Sequence, residues 1–295
     1  MAHFAITGIS GQVGGAASKF LIDNGHTVRA VVRDESRVKL WRDLGMEAAV
    51  ARLDDPSALA TAFDGVDGVF IMTPTWFEAD DMFAETARAV RAIGQALRSS
   101  APPKTVLLSS IGAQHPEGTG AIGKLQYMEQ AFADIPGVVS IRAAWFMENF
   151  VPFIDHAAKN GALPSMLAPI DCPILMIATI DIGKLVADVL QTKAAASSFL
   201  ELEGPRRYAP AEVAAAFAHV LKRSVKAEIL PREHWAETYR SWGLTPRSIE
   251  AMTEMLIGFN AGHIAFEAPP TGTIRGTTTL ESVLSSHIQK SPHRR

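Results

Sequence analysis

The sequence predicts an α/β protein: a doubly wound parallel sheet with a second, smaller α/β lobe at its C-terminal end. Three observations predict it. Short apolar runs alternate with helix-forming stretches from residue 1 to about 145. Two of the runs, Val69-Phe70-Ile71-Met72 and Val106-Leu107-Leu108, are continuously apolar, as strands buried on both faces must be. The first run leads directly into a glycine-rich turn and then a helix.

Strands are expected over 3–7, 27–32, 47–51, 68–72, 104–109 and 138–143, with helices near 12–24, 35–44, 56–63, 78–99 and 122–134. Phe4-Ala5-Ile6-Thr7 is too short for a helix, whereas Ala16-Ala17-Ser18-Lys19-Phe20-Leu21 combines good helix formers with an apolar stripe. Asn24-Gly25 and Leu44-Gly45 stop helices, and Asp55-Pro56 and Pro102-Pro103 break the chain. Strands separated by helices require right-handed crossovers, hence a parallel sheet with its ligands at the carboxyl ends of the strands.

After 145 the alternation loosens. A helix is expected over 148–159, then a loop punctuated by Pro164, Pro169 and Pro173. A strand over 174–177 and a helix over 181–191 follow. Strands at 200–202 and 225–229 flank a helix at 210–222, and helices over 232–242 and 246–258 come next. The organisation read from this is a dinucleotide-binding domain over 1–150 and a smaller substrate lobe over 151–290, with 174–200 able to return to the main sheet. The last five residues, 291–295, are expected to fray.

Gly8, Gly11 and Gly14 recur at spacing three between the first strand and the first helix. A dinucleotide pyrophosphate is held at such a turn. The turn needs positive φ, the backbone must approach the phosphates, and the helix N-terminus offers free N–H groups. The same glycines also suit a plain β–α turn, but a second apolar strand, Thr27 to Val32, follows and ends in Arg33. This is the Rossmann-type arrangement, in which a basic residue at that strand end suits a 2′-phosphate and an acidic one a free ribose hydroxyl. Arg33 therefore points to NADP(H), while Asp34 and Glu35 leave NAD(H) open.

Of the 295 residues, 47% are apolar and 20% charged, with a net charge of −3, so nothing calls for nucleic acid or an anionic membrane surface as partner. No run approaches about 18 consecutive apolar residues, so no membrane span is expected. Cys172 is the single cysteine, which makes an intrachain disulfide impossible and a reducing cytoplasm the natural setting. The histidines show no metal-ligand spacing, and no metal is expected. The long helix over 78–99 can pair with a second copy of the chain.

In order along the chain come Thr7-Gly8-Ile9-Ser10-Gly11-Gln12-Val13-Gly14, Val31-Val32-Arg33, Leu53-Asp54-Asp55 and Gly65-Val66-Asp67-Gly68-Val69-Phe70. Then follow Ser109-Ser110-Ile111-Gly112-Ala113, Ile141-Arg142-Ala143-Ala144-Trp145-Phe146-Met147-Glu148-Asn149, Ile180-Asp181-Ile182-Gly183 and Gly204-Pro205. With these pieces the chain, from residue 3 to about 267, resembles the NmrA-like group of atypical short-chain dehydrogenases. The resemblance implies an NADP-preferring fold. It implies a phosphate loop of Gly8, Ser10, Gly11, Gln12, Val13 and Gly14, Arg33 on the 2′-phosphate, and Leu53 and Asp54 beside the adenine. It places Thr73 and Pro74 along the ribose and nicotinamide, with Phe146 and Asn149 closing over the nicotinamide end. Taken singly, Asp54 also suits a cap for the helix begun at Pro56, Asn149 a turn, and Phe146 plain core.

Short-chain dehydrogenases use a Tyr-x-x-x-Lys pair on the helix after the fifth strand and a serine at that strand's end. Ser109 and Ser110 occupy the strand end, but the residue four after Tyr127 is Ala131. Lys124 lies three residues before Tyr127, on the same helical face. Ser110, Lys124 and Tyr127 are thus the catalytic candidates, against a solvated lysine and a half-buried tyrosine. His115, in the loop after the fifth strand, is a further candidate proton donor or a solvated side chain. Trp76, Phe77, Trp145 and Phe146 stand at the ligand edge of the sheet and suit a pocket for a planar substrate. Trp235, Tyr239 and Trp242 share one helix face and read first as lobe packing. Without the tyrosine acid, the expected activity is NADPH-dependent reduction of an electron-poor planar acceptor, a quinone or azo compound, for which orientation does most of the work. The alternative is a non-catalytic NADP(H)-binding redox sensor that reports to a partner protein.

Overall fold

A computed structural model describes residues 1–192, 198–267 and 273–290 of the chain. The 291–295 tail, expected to fray, and residues 193–197 of the segment that the sequence left able to return to the sheet lie outside the described residues. Strands β1 (His3–Ile6), β2 (Thr27–Val32), β3 (Glu47–Val50), β4 (Gly68–Ile71), β5 (Thr105–Ser110) and β6 (Val138–Ala143) fall where the apolar runs place them. They alternate with α1 (Gln12–Asp23), α2 (Val38–Asp43), α3 (Pro56–Phe63), α4 (Met82–Ser100) and α5 (Gly123–Ala131). Helix α4 starts later than its apolar pattern suggests because Asp81 caps it, accepting from Phe83 N and Ala84 N.

The C-terminal half adds β7 (Trp145–Phe146), a 3-10 turn over Met147–Phe153, α6 (Ile154–Asn160), β8 (Ala162–Ser165), β9 (Met176–Ile177) and α7 (Thr179–Gln191). Then come β10 (Ser198–Glu203), α8 (Pro210–Leu221), β11 (Lys226–Ile229), α9 (Trp235–Ser241), α10 (Pro246–Asn260), β12 (Ile274–Arg275) and α11 (Leu280–Lys290). The helix expected over 148–159 opens as a 3-10 turn because Pro152 has no N–H to give an α-helical bond.

The main sheet has eight strands in the order β12-β10-β6-β5-β4-β1-β2-β3. All of its pairs are parallel. One correction follows. The strand at 200–202, read from sequence as part of the smaller lobe, is β10 and pairs with β6 from Ser198↔Val139 to Leu202↔Ala143. Residues 176–177 do not enter that sheet but pair with 145–146. The chain returns through α7, which packs on α1 so closely that a Cβ on Gly183 would lie 2.5 Å from Ala16 Cβ and 2.8 Å from Ala17 N. That approach is a contact between distant helices and leaves no local pattern. The β8–β11 pair forms a separate two-stranded sheet, and an apolar cluster that includes Tyr208, Phe217, Trp235, Tyr239 and Phe259 also takes in Ile111, Ala113 and Ile122 from the β5–α5 connection. Among the described residues no helix is long and apolar enough to cross a membrane.

Candidate dinucleotide and substrate site

The site begins where β1 ends. In the sheet β1 lies between β2 and β4, so the chain leaves it toward opposite sides, and a crevice opens at that switch point. Thr7 holds the rim: its hydroxyl donates to Phe70 O at 3.0 Å and accepts from Met72 N at 2.9 Å. Gly8 has φ +62, which a glycine adopts without strain. Gly11 N donates to Gly8 O at 2.9 Å and closes the turn. A Cβ on Gly14 would stand 2.4 Å from Gly8 O, so the helix could not approach the strand end with any larger residue there. No side chain caps the start of α1 and its first turn holds no acid, which leaves the N–H groups to an anion.

Around this turn Arg33 is exposed and makes no ion pair or hydrogen bond with any described residue. Asp34 caps the next turn through Ser36 N, and that bond holds its carboxyl low. Asp54 is clamped by Arg52, Nε to Oδ1 at 3.0 Å and Nη2 to Oδ2 at 3.2 Å, and that pairing lowers its carboxyl. The cap on α3 is Asp55, not Asp54: Asp55 accepts from Ser57 N and Ala58 N. Leu53 is half-buried against the apolar cluster under α3 and α4. Thr73 Oγ1 is buried with no partner among the described residues. A positive-φ glycine cradle, free helix N–H groups, an unpaired arginine after β2 and an orphaned hydroxyl after β4 fit a dinucleotide with a 2′-phosphate.

At the end of β5 the two serines differ. Ser109 is buried and donates to Glu129 Oε1 at 2.6 Å, and Glu129 in turn holds Arg142. Ser110 is half-buried and donates only to Ile111 O, at 3.0 Å. Lys124 is buried, and its Nζ donates to Pro74 O at 3.2 Å and Thr75 O at 3.3 Å, 5.9 Å from the centre of the Phe77 ring. Burial without a counter-charge pushes this amine down to about 8. Tyr127 is 39% exposed and has no hydrogen bond to any described residue. The structure therefore does not join Lys124 to Tyr127; it ties α5 to the loop after β4. That loop holds Trp76 at φ +50, a left-handed conformation costing about 1–2 kcal/mol in a non-glycine residue.

The other rim comes from β7. Trp145 meets Phe259 edge-on at 5.2 Å, and its Nε1 is buried without a partner among the described residues. Phe146 packs partly against the core beside α7, and Asn149 is exposed. His115 stacks on His263 at 4.4 Å, and burial, then His263, lowers it. Trp235 and Tyr239 are buried in the apolar cluster with Tyr208 and Phe217: Trp235 Nε1 donates to Leu230 O at 2.8 Å, and burial raises the Tyr239 hydroxyl. Trp242 is exposed beside Tyr239 and Phe153.

Sequence reasoning missed Glu129, Glu148 and Thr179. Glu148 accepts from Thr179 N and Oγ1, and the same hydroxyl reaches Gln12, the first residue of α1. A signal existed for the two acids. A lone arginine in the buried run Val138–Ala143 demands a carboxylate, and a lone acid in the apolar stretch 145–151 demands donors.

Residues 2–113 match the NmrA-like family model. The chain is 22% identical over 286 residues to an NAD(P)H azoreductase of Xenophilus azovorans, covering 96% of each. Its fold resembles an NADPH-dependent quinone oxidoreductase of Escherichia coli complexed with NADPH, at TM-score 0.80 and 21% identity over 97% of this chain and 99% of that one. It also resembles the triphenylmethane reductase of Citrobacter sp., at TM-score 0.81 and 17% identity over the same 97% and 99%. The chain is thus similar to the NmrA-like family over its first five strands, and it shares the fold of these two reductases over 97% of its length.

Proposed function

We propose that the protein is an NADPH-dependent reductase of planar, electron-poor acceptors, a quinone or an azo compound. What supports the reading is the glycine turn after β1, with Trp76 and Phe77 in the segment after β4 and Trp145 just after β6, at the carboxyl ends of strands of one parallel sheet, and Lys124 bonded to the segment after β4 rather than to Tyr127. The full-length similarity to an azoreductase supports it. When bound, NADPH supplies a hydride to the acceptor. The chain's part is to bind and to orient. Gly8, Ser10, Gly11, Gln12, Val13 and Gly14 take the pyrophosphate, and Arg33 takes the 2′-phosphate as a charge-assisted partner. Leu53 and Asp54 flank the adenine, Thr73 and Pro74 the ribose, and Phe146 and Asn149 the nicotinamide end. Trp76, Phe77 and Trp145 hold the flat acceptor and exclude water.

A quinone needs little help from an acid, since water can protonate its product. Lys124 Nζ keeps one N–H beyond the two given to Pro74 and Thr75, and an amine near 8 can release a proton close to neutrality. Ser110, at the end of β5, is the other polar group of that edge.

The test is titration with NADPH and NADH, followed by nicotinamide fluorescence, with a quinone or an azo dye then added. Tight NADPH binding and prompt loss of the signal are expected. A signal that outlasts the enzyme-free control with every acceptor would favour the redox-sensor reading. Arg33→Ala should weaken NADPH binding by about tenfold to a hundredfold, the value of a hydrogen bond to a charged group, and leave NADH nearly unchanged. Equal weakening of both would make Arg33 structural.

A further inference from the structure

One chain of hydrogen bonds reaches the phosphate-binding end of α1 from two distant segments. Glu148 receives Thr179 N on both carboxylate oxygens, at 2.9 and 3.0 Å. Thr179 Oγ1 lies 2.7 Å from Glu148 Oε1 and 3.0 Å from Oε1 of Gln12, the first residue of α1. A threonine hydroxyl has one proton, and here it faces two oxygens. With Glu148 ionised only one of the two contacts can be a hydrogen bond. The shorter one takes the proton, and Gln12 must turn its amide so that Nε2 donates to Thr179. With a proton on Glu148 both contacts are satisfied: Glu148 O–H donates to Thr179 Oγ1, and Thr179 O–H donates to Gln12 Oε1. The Gln12 NH2 then points away from Thr179.

Burial raises the Glu148 carboxyl, while the Thr179 bonds and His287 act the other way. No lysine or arginine among the described residues pairs with it. The titratable group acting on it is His287 on α11; on α7, which Thr179 opens, the acid of the first turn is Asp181. Of these, Asp181 is engaged by Thr278 N and Oγ1, both at 2.9 Å.

We propose that Glu148 is a positioning residue for the dinucleotide: protonated, it turns the Gln12 NH2 outward through Thr179, so that binding takes up a proton at Glu148. A pyrophosphate only accepts hydrogen bonds, so an outward NH2 attracts it and an outward amide oxygen repels it. This rests on the reading of the glycine turn as the dinucleotide site. A proton taken up on binding makes affinity fall as pH rises past the carboxyl's titration, by at most tenfold per pH unit.

The experiment measures NADH and NADPH dissociation constants by fluorescence from about pH 5 to about pH 8. NADH lacks the 2′-phosphate, whose own titration lies near pH 6. The wild type should lose affinity for NADH with rising pH. Glu148→Gln donates an N–H to Thr179 at every pH, so it should keep the acid-limit affinity throughout. Thr179→Val should bind about fivefold more weakly with no pH dependence, the loss of one hydrogen bond. Thr179→Ser should restore the wild-type profile. A Glu148→Gln profile that tracks the wild type, or a flat wild-type profile, would overturn the relay alone. Failure of the wild type to bind either nucleotide at any pH would overturn the dinucleotide reading, and the relay with it.

Discussion

Arg142 and Lys124 are both buried cations near the end of β5, and the molecule treats them in opposite ways. Arg142 on β6 meets Glu129 twice, Nε to Oε1 at 3.1 Å and Nη2 to Oε2 at 2.8 Å, and its guanidinium lies 4.2 Å from the Phe199 ring centre. Glu129 also takes the Ser109 proton, so every strong group in that cluster is answered. Lys124 stands on the same helix as Glu129 yet meets only two backbone carbonyls. A fully compensated buried charge is inert and locks its elements together; here it fastens α5 to β5 and β6. A charge met only by dipoles stays responsive, and Lys124 does so on the loop that borders the candidate site.

Breaking the compensated side should cost most. Glu129→Ala leaves the Arg142 charge buried and unpaired, and an unfolding titration in urea should show a loss of about 3–5 kcal/mol. A loss below about 1 kcal/mol would mean that Glu267, whose Oε2 lies 3.8 Å from Arg142 Nη1, is partner enough.

The responsive side should show itself through pH. Burial lowers Lys124 from 10.5 to about 8 in the folded chain, so between those values the unfolded chain holds more protons. Wild-type stability relative to Lys124→Met should therefore rise with pH across that window, by about 3 kcal/mol over its full span. Parallel pH–stability curves for the two proteins would show that Lys124 is solvated and the contrast with Arg142 is false.

Tyr127 should matter least. Its ring is 39% exposed and its hydroxyl unbonded, so Tyr127→Phe should stay within about 0.5 kcal/mol in stability and leave turnover unchanged. A large drop in turnover with NADPH binding intact would return Tyr127 to the reacting groups.

The first six strands and the glycine turn were legible from the chain. Apolar alternation, Gly8 and Gly14 at the crossing of helix and strand, and Asp-Pro breaks are signals carried within a few residues. The helix stripe of Trp235 and Tyr239 was legible as packing for the same reason. Strands β8 and β12 were not. Each is four residues or fewer and exists through its partner rather than through its own pattern.

Local pattern was thus enough for the first six strands and the glycine turn, because a strand, a cap or a tight turn is decided by neighbours along the chain. The partners of buried polar groups were decided only in three dimensions. Glu148 meets Thr179 across 31 positions, Thr179 meets Gln12 across 167, and Lys124 meets Pro74 across 50. Which donor answers which acceptor at such separations depends on how the layers pack, and a sequence pattern with a period of a few residues carries no information about that.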